Sequence, residues 1–211
     1  MLNNEAGLSE WQSDVLREVF NIGAGNAATS LSLLLDTPVT MDVPEVKLLP
    51  FAAVADQLGG EEEIVAAVLL TIAGSAGGSF VFLLPLSSAR NLISNLFGFP
   101  KEKDDSFNAM EMSALTETGN IMGASFLSAL AGLTGLALSA TVPDAAVDMA
   151  GAVLSVPLIR ASRDFDCALV MAAQLVARGE KIDCFFFLLP DSALLSAIFA
   201  KIKVAADGQQ Y

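Results

Sequence analysis

Histidine is absent from these 211 residues, and cysteine occurs only twice. Without imidazole there is no Ser-His-Asp or Cys-His relay and no histidine-built zinc site. Chemistry must come from carboxylates, amides, hydroxyls or a group that a partner brings. Positive charge is also scarce: 11 Lys and Arg stand against 24 Asp and Glu, a formal charge of −13. Such an acidic surface repels phosphate backbones and anionic headgroups, which argues against nucleic acid and acidic membranes as partners. The opening MLNNEAGLSEW lacks the basic and apolar blocks of a signal peptide. Cys167 and Cys184, in FDCALVM and IDCFFFLLP, have no C-x-x-C spacing and read as reduced, buried small hydrophobes. A cytoplasmic protein is expected.

Apolar residues are plentiful, at 54%. Residues 64–89 and 118–143 are charge-free stretches long enough to raise the question of a membrane span. The first is broken by AGSAGGS (73–79) between IVAAVLLTI and FVFLLP, which reads as a hairpin. The second opens on Thr118, Gly119 and Asn120 and is dominated by Gly, Ala and Ser. Neither reads as a spanning helix, and no membrane insertion is expected.

The chain repeats itself. At an offset of 99, LREVFNI (16–22) lies on LTETGNI (115–121), and Val43-Pro44 lies on Val142-Pro143. At an offset of 105, FVFLLPLS (80–87) matches FFFLLPDS (185–192). The expected organisation is a single domain, 1–211, made of two repeats at about 1–104 and 105–211, with KEKDDS (101–106) as connector.

Each half reads as a long helix, an extended V-P segment, a hairpin and a closing helix. Ser9 with Gln12, and Asn108 with Glu111, have the spacing of capping boxes. Trp11, Val15, Val19 and Ile22 form one apolar side of the first helix. Strands are expected at 64–72 with 79–84 and at 165–176 with 183–189, the second pair turning through ARGEK. Closing helices are expected at 87–96 and 192–204. The fold class is α+β: internally duplicated lobes related by a pseudo-twofold, with antiparallel hairpins merged into one helix-covered sheet.

Glu18 and Asn21 leave one helix face about one turn apart, and so do Glu117 and Asn120. Asp14 and Gly25, then Ser113 and Ala124, extend those faces. A carboxylate and an amide at helical spacing are commonly a solvated face. Here the pair recurs in register while most neighbouring positions differ, and solvation alone gives no reason for that. A structural role for Asn21 and Asn120, capping or breaking their helices, is the competing reading. NIGAGNAA (21–28) contains G-x-G-x-x-A, but it follows a helical stretch rather than a strand, against a dinucleotide site.

Residues 16–51 together with 113–143, carrying the doubled E-x-x-N-I helix, and V-D-M at 147–149, resemble the CheC family of chemotaxis phosphatases, relatives of CheX and of the phosphatase part of FliY. Both motifs are present, unlike the single-motif CheX pattern, and no appended switch-type domain of the FliY kind is expected, so the resemblance is to the stand-alone, two-motif CheC form. It implies hydrolysis of the aspartyl phosphate of the response regulator CheY. Asn21 and Asn120 would each hold a water in line with phosphorus, and Glu18 and Glu117 would pair with the regulator's lysine. Mg2+ would come with the regulator, and no cofactor of the chain's own is implied. Some members bind the receptor deamidase CheD through the segment corresponding to 143–158, where Asp148 is the candidate contact and Pro157 is expected to shorten any helix. The rival is a non-catalytic adaptor that binds a response regulator or CheD.

Overall fold

The computed structural model describes residues 9–98, 106–162 and 166–207; the N-terminal segment 1–8 and the connector at 101–105 lie outside them. In chain order the elements are α1 (Glu10–Leu35), β1 (Val39–Pro50), β2 (Ile64–Gly74), β3 (Gly78–Pro85), α2 (Leu86–Phe97), α3 (Ala109–Thr134), β4 (Leu138–Ala140), β5 (Asp144–Met149), α4 (Ala150–Ala161), β6 (Cys167–Ala177), β7 (Glu180–Pro190) and α5 (Ser192–Asp207). Two short 3-10 turns bridge β1 and β2.

Both long helices start where their caps place them. Ser9 Oγ accepts from Gln12 N at 3.3 Å, and Gln12 Oε1 accepts from Ser9 N at 2.9 Å. Asn108 Oδ1 accepts from Met110 N and Glu111 N, while Glu111 Oε2 accepts from Asn108 N at 2.9 Å. Glu111 does more than its spacing foretold. It is 3% exposed, and its Oε1 meets Arg90 of α2 at 3.3 Å. The same guanidinium lies 3.9 Å from the centre of the Phe107 ring. Burial leaves Glu111 dependent on Arg90, so the cap of α3 is also its tie to α2.

One antiparallel sheet runs β1-β6-β7-β3-β2, with β4 and β5 both paired to β2. The two hairpins, β2–β3 and β6–β7, meet at β3–β7, as the sequence led us to expect. Arg178 and Gly179, at φ 52 and 81, close the second hairpin in two residues of positive φ, the geometry that matches strand twist. The outer strands were not foreseen. β1 pairs β6, and β5 pairs β2, so each half closes the open edge of the other half's hairpin. The halves are interlocked rather than side by side.

Apolar residues fill both faces of the sheet. Ala66, Val68, Leu70 and Ile72 of β2 pack under the helix layer of α1 and α3, while Val65 and Ala67 pack with Ala150 and Leu154 of α4 on the reverse. Phe126 of α3 lies at the centre, 5.9 Å from Phe20 of α1, 5.6 Å from Phe80 of β3 and 4.5 Å from Phe186 of β7. Helix α3 can descend this far because it carries glycine where it meets β2. A Cβ on Gly119 would stand 2.5 Å from Val68 Cβ, and one on Gly123 would stand 2.7 Å from Leu70 Cδ1.

Three expectations need correction. Ile22 is 52% exposed; the buried stripe of α1 runs through Leu16, Val19, Phe20, Gly23, Ala24, Ala27, Ala28 and Leu31 instead. Pro157 lies inside α4, which continues to Ala161; its ring is buried, and the turn tolerates one missing N–H. Cys184 is buried, and burial pushes its thiol well above the usual range, but Cys167 is only half-buried at a strand end.

These contacts set a stability contrast between two helix glycines. Gly119→Ala should lower stability by about 1–3 kcal/mol through overpacking against Val68. Gly25→Ala, which faces open space, should raise it by up to about 1 kcal/mol through helix propensity. Urea unfolding of both variants checks the pair.

Candidate functional site

The buried stripe of each long helix decides what points outward. On α1, burying Leu16, Val19, Phe20 and Gly23 turns Glu18 out to solvent and leaves Asn21 half-buried on the flank of the helix, since successive residues advance by about 100°. On α3, burying Leu115, Thr118, Gly119 and Met122 does the same for Glu117 and Asn120. Thr118 is fully buried yet satisfied, its Oγ1 donating to Ala114 O at 2.8 Å. Asp14, Gly25, Ser113 and Ala124 are exposed on the same faces.

Glu18 and Glu117 are exposed, and among the described residues neither has an ion pair or side-chain hydrogen bond. Both carboxylates are free to meet a cation from outside.

The asparagines are both half-buried but differ in what they touch. Asn21 Nδ2 donates to Val43 O at 3.1 Å, and its Oδ1 accepts from Val43 N at 2.8 Å. Val43 is completely buried and falls where the β1–β6 register slips between Asp42 and Glu45. A bulge takes one residue's main-chain groups off the ladder, and the Asn21 carboxamide, with the same donor and acceptor as a peptide, replaces the missing strand partner. Asn120 has no such bond: among the described residues its carboxamide has no hydrogen-bond partner. The corresponding Val142 lies in the link between β4 and β5 and is 87% exposed.

A shallow groove runs between the helices, lined by Val19, Ile22 and Asn26 of α1 and by Ala129, Gly132 and Leu133 of α3. The half-exposed Ile22 beside Asn21 is apolar surface available to a docking protein. Asp148 is elsewhere. It is an exposed residue of the edge strand β5, paired with Val65, and its Oδ1 accepts from Met149 N at 2.8 Å. With Val153, Val156 and Arg160 of α4 it lines a groove over Ala67 and Val81, on the reverse face of the sheet. The structure thus joins each Glu to its Asn and leaves Asp148 apart from both. Val43 was missed as part of the site. The repeated V-P dipeptide was visible, but a register slip is a property of two paired strands.

The CheC-like family model matches the chain twice, at residues 12–48 and 110–146, over the two capped helices and the strand segments that follow. A Bacillus subtilis protein named CheY-P phosphatase CheC is 37% identical over 200 residues, 93% of this chain and 96% of that protein. This chain belongs to the CheC-like family. The crystal structure of Thermotoga maritima FliY superposes with a TM-score of 0.74 at 19% identity, covering 93% of this chain and 98% of that one. The FliM middle domain from H. pylori reaches 0.66 at 13% identity, covering 92% and 99%. These two likenesses show the fold. Within this CheC-like chain, no helix among the described residues is long and apolar enough to cross a membrane.

The difference between the asparagines predicts unequal costs on removal. Asn21→Ala deletes two hydrogen bonds and leaves the buried N–H and C=O of Val43 unpaired, an expected loss of about 2–4 kcal/mol. Asn120→Ala should change stability by less than about 0.5 kcal/mol. Thermal and urea unfolding of the two single variants reads the contrast directly.

Proposed function

We propose that this chain hydrolyses the aspartyl phosphate of a phosphorylated CheY-type response regulator, with Glu18, Asn21, Glu117 and Asn120 as its site residues. One observation carries the reading. An outward Glu three residues before an Asn occurs on two 26-residue helices, in a chain 37% identical over 93% of its length to a protein named as a CheY-P phosphatase.

The chemistry suits these side chains. An acyl phosphate is already activated, so hydrolysis needs a water held in line more than it needs a strong base. Water adds to phosphorus, the bond from phosphorus to the aspartate oxygen breaks, and the carboxylate leaves. The water's proton ends on the released inorganic phosphate. A carboxamide donates and accepts without titrating, so it can orient that water without histidine. Each exposed Glu meets a lysine of the regulator and sets the docking angle. The regulator brings its own Mg2+.

The halves at about 1–104 and 105–211 act as repeats within one domain, a reading supported by the double family match and the strand exchange. A cytoplasmic setting fits a regulator as substrate. In this reading the groove at Asp148, on the face away from the asparagines, is the surface left for a second partner, the receptor deamidase CheD.

Phosphate release from a phosphorylated CheY-type regulator with Mg2+ tests the function. Wild type should accelerate release, and Asn21→Ala with Asn120→Ala should abolish the acceleration while binding persists. Glu18→Ala with Glu117→Ala should weaken binding itself. Binding without acceleration by wild type would make the chain an adaptor.

A further inference from the structure

We infer that the two E-x-x-N pairs are unequal: turnover runs mainly through Glu117 and Asn120, and Val43 latches Asn21 out of use. This rests on the phosphatase reading above and concerns which of its two sites is open.

The latch is made by the main chain. Asn21 returns both a donor and an acceptor to Val43, at 3.1 and 2.8 Å, and Val43 is fully buried in the bulge of β1. A side chain that reaches into a partner's active site must first leave those bonds. Leaving takes their partner from two buried polar groups of Val43, so the reaching rotamer is a minor state. A site whose competent state is a small fraction loses apparent activity by that fraction, here on the order of tenfold or more.

The second half has the same V-P dipeptide but not the same contact. Val142 stands 87% exposed between β4 and β5, and Thr141 N donates to Thr71 O of β2 at 2.9 Å, fixing the link to the neighbouring strand instead of to α3. Among the described residues Asn120 has no hydrogen-bond partner to give up. Beside it, Gly119 and Gly123 seat α3 directly on Val68 and Leu70 of β2, so the backbone that carries Asn120 is held while its carboxamide is free. The first pair has a bound carboxamide and the second a free one, on helices of equal length.

Two measurements decide it. The first is kcat/KM for phosphate release from a CheY-type regulator phosphorylated with acetyl phosphate, for each single variant. Asn120→Ala should lose at least about tenfold more than Asn21→Ala. Where Asn21→Ala does not fold, Asn21→Asp replaces it, since it keeps an acceptor for Val43 N–H. The second is NMR of the intact wild-type chain. The Val43 amide should exchange slowly, and on adding regulator activated with beryllofluoride and Mg2+ the carboxamide signals of Asn120 should shift while those of Asn21 stay. A fold defect alone would not move the Asn120 signals. Equal losses in the two single variants, a larger loss for Asn21, or a Val43 amide that exchanges freely overturns the latch with the phosphatase reading intact. A wild-type chain that releases no phosphate, or a double asparagine variant that releases it as fast, overturns both.

Discussion

Phe126 is the contact on which the functional surface depends. Its ring reaches Phe20 of the other motif helix and Phe80 and Phe186 of the two central strands, at centroid distances from 4.5 to 5.9 Å. Gly23 lets this happen: a Cβ there would stand 3.0 Å from Phe126 Cα, so α1 and α3 touch backbone to ring. Phe126 thereby ties α3 both to α1 and to the β3–β7 seam. Once that face is buried, Glu18 and Glu117 look outward and the half-buried Asn21 and Asn120 stand beside them. Aromatic burial and close packing thus aim the site without any residue of the site taking part.

The sheet makes its own contribution. Because β1 and β5 are exchanged between the halves, the segment following each motif helix is anchored to strands from the other half of the chain. That segment is where Val43 and Val142 lie. A small slip of register at Val43 brings its peptide groups to Asn21, whereas the break between β4 and β5 takes Val142 away from Asn120. Near-identical motifs acquire different hydrogen-bonding states from strand geometry alone. An asparagine is the residue type for which this matters, since its side chain is a peptide group that can serve either its own fold or a partner's water.

Much of this was legible in the sequence because it is local. Ser9 with Gln12 and Asn108 with Glu111 cap the helices as their spacing says. The hairpins and the helices after them begin within a few residues of their predicted ends, because apolar runs bounded by Gly, Pro and Asp leave few alternatives. What was not legible is non-local. Ile22 reads as core from periodicity, but the position of the helix on the sheet turns Gly23 and Ala24 inward in its place. Asp148 lies on an edge strand beside β2, a pairing that no spacing within its own segment encodes. The Asn21–Val43 contact spans the register of two strands from different halves, which no spacing within one segment encodes.

The central claim is that the outward faces of α1 and α3 meet the phosphorylated aspartate of a response regulator. A structure of the chain in complex with a CheY-type regulator, activated with beryllofluoride and Mg2+, tests it most directly. The account predicts Glu117 against a regulator lysine and the Asn120 carboxamide beside the beryllofluoride with a water between them. A regulator seated instead on β5 and α4, with Asn21 and Asn120 both facing solvent, would contradict it.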